Sequence, residues 1–204
     1  ESYKLAFSTC WGGTEHEETR GITLDREGNI YITGRTDSPD FPTTPGAFDR
    51  AHHGGQGDIF VAKWTPAGRL VWSTLIGGAG GGPTKGFSIR VDAWGFVIVA
   101  GEASAGLPTT PGVFQPKFIG HHPSNISEPA CSFIAKLKPD GSGLVWLSYC
   151  GSYYEHRDMT TDAKGDIYVT SGWDPASKQA SMPDDWYAHA FQKQPQGGHD
   201  FVVI

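Results

Sequence analysis

The sequence predicts an all-β protein made of repeated four-stranded antiparallel units, and three observations lead to this fold class. The first is composition: 28 of the 204 residues are glycine, 14 are proline and 12% are aromatic. Frequent turn residues together with ample aromatic core material are typical of many short strands. The second is that no segment of useful length shows the 3.6-residue apolar period of an amphipathic helix, so we expect little helix.

The third observation is internal repetition, which the other motifs of the chain follow. The motif GNIYITG at residues 28–34 returns as GFVIVAG at 95–101 and as GDIYVTSG at 165–172. The glycines that open the three copies are 67 and 70 residues apart. Further motifs recur in the same order: FPTTPGAF at 41–48 and LPTTPGVF at 107–114; DIFVAK at 58–63, CSFIAK at 131–136 and DFVVI at 200–204; FSTCWGG at 7–13, WSTLIGG at 72–78 and WLSYCG at 146–151.

Each repeat predicts four strands joined by short turns. The turns between the first and second strands read Asp-x-x-Gly and begin at Asp25, Asp92 and Asp162. Asp opens such a turn through its side chain, and Gly takes the left-handed position that follows. The first strands are expected near 20–25, 86–92 and 157–162, the second near 29–35, 95–102 and 166–172, the third near 58–65, 131–138 and 200–204, and the fourth near 4–11, 69–77 and 143–150.

Four antiparallel strands in each of several repeats are typical of the blades of a β-propeller, since one blade needs neighbours to bury both its faces. The run from Gly28 to Gly78 resembles the SBBP repeat, a β-propeller repeat of bacterial secreted and surface proteins. The resemblance implies a propeller fold and a location that is secreted, on the cell surface or periplasmic. It implies no catalytic residues, because the family has no established active-site motif.

We predict one partial β-propeller domain over residues 1–204, with repeats at about 14–77, 78–150 and 151–204 and an N-terminal strand at 4–11. That first strand is the one that the last repeat lacks. Propellers typically have about four to eight blades. We therefore expect the three blades to belong to a larger ring of six to eight blades, completed either by a longer chain or by a second copy.

Charge and hydropathy exclude two classes of partner. The formal net charge is −6, and no cluster of Lys and Arg marks a phosphate-binding face, so we expect no nucleic acid. No apolar run reaches the roughly 20 residues that a membrane-spanning helix requires, so the chain is not expected to span a membrane by itself.

The three cysteines raise the question of a disulfide. In the hairpin formed by strands 131–138 and 143–150, Cys131 lies within one residue of being opposite Cys150. A cross-strand disulfide is then geometrically possible and suits an oxidising compartment, while the alternative is two separate small buried side chains. Cys10 is expected to be a buried thiol rather than a nucleophile.

The histidines lie on loops that are predicted to share one end of the blades. His16, His52, His53 and His156 are weak candidates for metal ligands, with carboxylates nearby. No spacing of the His-x-x-x-His kind supports a metal site. We therefore expect solvated or interface histidines, no metal and no cofactor.

Two long connections, 102–130 and 173–199, carry aromatic residues at the same predicted end. Long loops on a rigid fold commonly bind partners. The Pro-Thr-Thr-Pro-Gly segments have a structural interpretation, in which Phe41, Phe48, Leu107 and Phe114 anchor the loops to the blades. The candidate partner-binding residues are therefore taken from the other loops: Tyr153, Tyr154, Trp186, Tyr187, His121 and His122.

Three functions compete at this stage. The leading hypothesis is a non-catalytic module that binds a protein partner on the long-loop face, as a scaffold or accessory subunit of a larger complex. The second is a carbohydrate-binding surface protein with Trp186, Tyr153 and Tyr154 as stacking platforms. The third is a propeller enzyme, such as a lyase or glycosidase, whose site is formed partly by further blades. No convergent acid/base pair is evident in the sequence, so we expect no enzyme.

Overall fold

In the computed structural model, residues 4–119, 130–151, 156–173 and 200–203 are described, and none of these residues is helical. No helix in this part of the chain is long and apolar enough to cross a membrane. The described residues form eleven strands: β1 Glu17–Leu24, β2 Ile30–Thr36, β3 Asp58–Trp64, β4 Leu70–Ile76, β5 Lys85–Val91, β6 Val97–Ala103, β7 Cys131–Leu137, β8 Leu144–Tyr149, β9 His156–Thr161, β10 Ile167–Trp173 and β11 Asp200–Val203.

The strands form three antiparallel sheets in which neighbours along the chain pair with each other. Sheet 1 has the order β1-β2-β3-β4, sheet 2 the order β5-β6-β7-β8, and sheet 3 the order β9-β10-β11. The first strands of successive sheets contact one another, β1 with β5 and β5 with β9. The three sheets therefore converge on the side of their first strands. The predicted all-β class is confirmed, since the described residues form eleven strands and no helix.

The Asp-x-x-Gly turns form as the sequence predicts. Asp25 Oδ1 accepts hydrogen bonds from the backbone N–H groups of Glu27 and Asn29, at 3.1 and 2.8 Å. Gly28 has a φ of 78°, which a residue with a Cβ adopts only at a cost. Because Asp92 and Asp162 accept equivalent bonds in sheets 2 and 3, all three turns have one geometry.

Two apolar layers hold the sheets together. The layer between sheets 1 and 2 includes Tyr31, Ile59 and Phe133, all buried. The layer between sheets 2 and 3 includes Ile98 and Met159. Strand alternation sends side chains to both faces, so sheet 2 is buried on both sides and its strands β6 and β7 are almost entirely apolar or small.

The Pro-Thr-Thr-Pro-Gly segments run along the outer edges of two sheets, and we call residues 41–50 and 107–116 the edge straps. Thr44 N–H donates to Ser73 O in β4, and Thr110 N–H donates to Leu147 O in β8, both at 3.1 Å. A strap of this kind satisfies the backbone of an outer strand that would otherwise be a free edge. The structural interpretation of these segments is consistent with this placement.

The predicted strap anchors divide into three buried or partly buried residues and one exposed residue. Phe41 and Leu107 are buried, and Phe48 packs partly buried against the layer between sheets 1 and 2. Phe114 is 55% exposed, so it is not a buried anchor of its strap. Gln115 holds the second strap instead, since its backbone carbonyl accepts from Tyr149 N–H and its side chain accepts from Gly151 N–H.

The N-terminal strand predicted at residues 4–11 does not form, because this segment has no strand partner in the described part of the chain. The side chain of Phe7 still has the same neighbours as a residue of a fourth strand. Trp72 of β4 lies against Gly141 in the hairpin of sheet 2, where an added Cβ would be 2.6 Å from the indole ring. Phe7, which aligns with Trp72, lies in the same way against Gly68 in the hairpin of sheet 1, at 2.8 Å.

Cys131 and Cys150 do not form the candidate disulfide; they are two separate buried thiols, which is the alternative that the sequence left open. The register explains this, because Phe133 pairs with Tyr149 and Cys131 is therefore offset by one residue from Cys150. A one-residue offset sends two side chains to opposite faces of a sheet. Cys131 accordingly packs between sheets 1 and 2, and Cys150 between sheets 2 and 3.

Cys10 is exposed, contrary to the prediction of a buried thiol. In the repeat alignment Cys10 corresponds to Leu75, which is buried in β4. Residues 4–11 are not part of a sheet among the described residues, so the environment that buries Leu75 is not formed around Cys10.

Candidate functional site

The six side chains predicted to bind a partner lie outside the described residues: Tyr153, Tyr154, Trp186, Tyr187, His121 and His122. Of the predicted metal candidates, His16 is exposed with its Nδ1 3.9 Å from Asp37 Oδ2. The ring of His52 faces two backbone groups, with Nε2 3.3 Å from Thr36 O and Nδ1 accepting from Gly54 N–H at 3.1 Å. Both residues belong to loop structure at the strand ends that lie opposite the Asp-x-x-Gly turns.

His53 lies between two carboxylates. Its Nδ1 is 3.0 Å from Asp58 Oδ2 and its Nε2 is 3.2 Å from Asp49 Oδ2, while its backbone N–H also donates to Asp58 Oδ2 at 2.8 Å. The Asp58 side chain is fully buried at the start of β3. Both ring nitrogens thus face carboxylate oxygens within hydrogen-bond distance, and these side chains are not arranged to hold a metal ion among the described residues. This arrangement therefore ties the loop to β3.

His156 is the first residue of β9 and is fully buried, so it is not the loop histidine that the sequence predicts. Neither ring nitrogen has a hydrogen-bond partner among the described residues. Burial lowers the pKa of His156 to about 3, because the charged form loses its hydration. Across the described residues, no group of three or more His, Cys, Asp or Glu side chains is arranged to hold a metal ion.

A cavity of about 630 Å³ lies at the opposite end of the sheets, where the three Asp-x-x-Gly turns meet. Its volume falls within the range of small-ligand sites, about 300–1,000 Å³. The first strands converge here, so each sheet contributes the end of its first strand and the following turn. The principal lining residues are Leu24, Asp25, Glu27, Lys63, Asp92, Trp94, Pro139 and Asp162.

Two of the lining carboxylates are held by the fold. Asp25 Oδ2 accepts from Tyr31 Oη at 3.1 Å and from the Asn29 amide at 2.8 Å, with Lys63 Nζ at 3.5 Å. Burial alone would raise the pKa of Asp25, but these hydrogen bonds and the lysine charge outweigh it and lower the pKa. Asp92 is buried and forms an ion pair with Lys136 at 2.8 Å.

The other two carboxylates are open to a ligand. Glu27 is exposed at the centre of the first turn. Asp162 uses one oxygen, Oδ1, to accept from the N–H groups of Lys164 and Asp166 at 2.8 and 2.9 Å. Its second oxygen, Oδ2, accepts no hydrogen bond from the described residues.

Trp94 supplies the large apolar surface of the cavity. It occupies the second turn, where its backbone N–H donates to Asp92 Oδ1 at 3.0 Å. Its ring lies on Gly165 of the third turn, where an added Cβ would be 2.8 Å from Trp94 Cζ3. The residue is nevertheless 58% exposed, so part of a fixed aromatic ring faces solvent beside the cavity.

The comparison with protein families matches the beta-propeller repeat model, SBBP, at residues 18–42. Residues 18–42 therefore carry an SBBP-type β-propeller repeat. No curated protein matches the chain in sequence. The SBBP match extends from β1 through the turn at Asp25 and β2 into the first edge strap, so it includes one of the three turns that line the cavity.

The residues of this cavity were recognised in the sequence only as turns. The Asp-x-x-Gly recurrence predicts three similar turns, but not that they lie side by side. A usable signal was present, because the middle positions of the turns differ: Arg-Glu, Ala-Trp and Ala-Lys. A tryptophan at a turn position that needs no apolar side chain is a sign of a surface role.

Proposed function

We propose that the chain is part of a larger β-propeller ring of six to eight blades and that the ring acts as a non-catalytic binding module. The three sheets would be consecutive blades. The repeated contact of Phe7 with Gly68 and of Trp72 with Gly141 supports a ring, because it gives residues 4–11 the position of a fourth strand in a blade that precedes sheet 1.

The exposed face of sheet 1 supports the same proposal. Ile22 of β1 is 66% exposed, whereas the aligned residues Ile89 of β5 and Met159 of β9 are 0% and 3% exposed. Ile89 and Met159 are covered because sheets 1 and 2 pack against them. A preceding blade would cover Ile22 in the same way, together with the exposed Leu24.

A matched pair of substitutions tests the ring in the native protein. Ile22→Asp is expected to lower the free energy of unfolding by about 2–4 kcal/mol, because an unpaired carboxylate would be buried between blades. Val71→Asp, on the exposed outer strand β4, is the control and is expected to stay within about 0.5 kcal/mol of wild type. If Ile22→Asp has an equally small effect on urea unfolding, the face is free and the ring proposal fails.

Binding rather than catalysis is supported above all by Trp94, a fixed and exposed aromatic ring beside a cavity of ligand size. Exposed tryptophans in such positions are typical of recognition sites. The two carboxylates around it that are already engaged, Asp25 and Asp92, are held by turn N–H groups and lysines and keep the turns in place. We propose a protein partner and an extracytoplasmic location, the latter on the strength of the repeat family alone.

Binding and location are tested in the source cells. The native protein, carrying an affinity tag, is expected to co-isolate with a partner at fixed stoichiometry, and external protease is expected to degrade it in intact cells or in cells with a permeabilised outer membrane. Trp94→Ala is expected to lose the partner, while Phe114→Ala, which removes an exposed aromatic from an edge strap, is expected to keep it. Turnover of a substrate by the purified protein would contradict the proposal.

A further inference from the structure

We propose that the cavity between the three turns binds an arginine side chain of the partner. The inference rests on the proposed binding function and specifies its chemistry. A guanidinium group would stack on the exposed part of the Trp94 ring and pair with the carboxylate of Asp162. The position of the ring, the charge of the lining and the size of the cavity all suit this ligand.

The Trp94 ring is held ready for stacking. Gly165 lies so close beneath it that a Cβ would collide with the ring, and the backbone of Trp94 is fixed by Asp92. A ring that is ordered before binding loses little conformational entropy when a ligand stacks on it. The indole face is the strongest aromatic partner for a cation, and the guanidinium also stacks on it as a plane.

The charge of the lining favours a cation. Four carboxylates and two cations line the cavity, the carboxylates being Asp25, Glu27, Asp92 and Asp162 and the cations Arg26 and Lys63. Lys63 balances the charge of Asp25, and Lys136 balances that of Asp92. Among the lining residues, this leaves two carboxylates, Glu27 and Asp162, and one cation, Arg26. One carboxylate is therefore in excess, and a partner cation would balance it.

Asp162 is the better anchor of the two open carboxylates. Its Oδ1 is fixed by the N–H groups of Lys164 and Asp166, while Oδ2 can accept from a ligand. Arginine suits this site better than lysine, because its planar donor fork can reach the carboxylate while its plane lies on the indole. The cavity volume of about 630 Å³ admits the whole side chain with part of its backbone.

The test uses N-acetyl-glycyl-arginyl-glycine amide as the probe and the native protein labelled with ¹⁵N. The indole N–H resonance of Trp94, assigned from its loss in Trp94→Phe, is expected to shift on titration and to saturate. A peptide with citrulline, the neutral isostere of arginine, is expected to bind at least about fivefold more weakly. Increasing the salt from about 0.05 to 0.5 M is expected to weaken the arginine peptide only.

Two carboxylate variants separate the site from general charge. Asp162→Asn keeps an acceptor for the turn N–H groups but removes the charge, and it is expected to weaken the arginine peptide by about threefold or more. Asp166→Asn removes an exposed carboxylate that does not line the cavity, and it is expected to change the affinity by less than that. Equal effects of the two variants would overturn the proposal.

Other outcomes are equally decisive. Equal binding of the citrulline peptide, absence of any shift, or a shift only with a neutral oligosaccharide such as maltotriose would overturn the arginine assignment. A partner that co-isolates equally with wild type and Trp94→Ala would also overturn it, while the proposed binding function would stand. Conversely, arginine-specific binding without any cellular partner would keep the site and contradict the proposed function.

Discussion

Acidification from about pH 7.5 to about pH 5 is expected to remove about 2 kcal/mol of stability through His156 alone. The side chain is fully buried, and burial lowers its pKa from 6.5 to about 3. Between pH 6.5 and about pH 3, the unfolded chain therefore binds a proton at His156 that the folded chain does not bind. Stability is fully present above pH 6.5 and falls as the pH decreases, by up to about 1.4 kcal/mol per pH unit, until the pH approaches 3.

The assay compares urea unfolding of wild type and His156→Leu at several pH values, followed by fluorescence and far-UV circular dichroism. Carboxylates contribute to acid unfolding of both proteins, so the informative quantity is the difference between them. This difference is expected to change by about 2 kcal/mol between pH 7.5 and 5, in the direction that makes the variant less sensitive to acid. His156→Gln, which is polar but does not titrate in this range, is the second variant.

Equal losses of unfolding free energy in wild type and both variants over this range would contradict the lowered pKa of His156. That result would mean that the imidazole is protonated in the folded state near its ordinary pKa. Because an imidazolium in an apolar interior costs several kcal/mol, the side chain would then have to be solvated or paired.

Two further predictions concern thiols and a close backbone contact. In the native protein, iodoacetamide at pH 8 is expected to label the exposed Cys10 and to spare Cys131 and Cys150, because burial raises the pKa of these two thiols to about 11 and about 12. Mass spectrometry of the labelled peptides measures this, and rapid labelling of either buried thiol would contradict the packing. Gly101→Ala is expected to lower the free energy of unfolding in urea by about 3 kcal/mol or more, since its Cβ would lie 2.0 Å from Lys85 O. Gly81→Ala, whose Cβ would have nothing within 4 Å, is expected to be nearly neutral. Similar stability of the two variants would show that the backbones of β5 and β6 can move apart to accept the methyl group.

The prediction from sequence was accurate for features that local chemistry controls. Ten of the eleven strands begin within two residues of their predicted starts, and β1 begins at Glu17, three residues before the expected start at residue 20. The Asp-x-x-Gly turns follow from residues that are adjacent in the chain, as at Asp25 and Gly28. Local hydrogen bonds and a left-handed glycine are sufficient to specify such a turn.

The predictions that failed depended on contacts between distant residues. The candidate disulfide is one example: Cys131 lies within one residue of being opposite Cys150, as the sequence predicts, but this offset of one residue sends the two thiols to opposite faces of the sheet. Residues 4–11 have the pattern of a strand, but a strand also requires a hydrogen-bonding neighbour. His156 was assigned to a loop, because a polar residue at the start of a strand gives no local sign that its surroundings are apolar.

The all-β class, the repeat and the turns could all be predicted from the sequence, since periodicity and turn chemistry are properties of short segments. The meeting of the three turns in one cavity, the contact of Trp94 with Gly165 and the burial of His156 became evident only from the folded chain. These features arise where successive sheets pack against each other. The physical reason is that such contacts join residues about 70 positions apart, whose separation in space is not encoded in any one repeat.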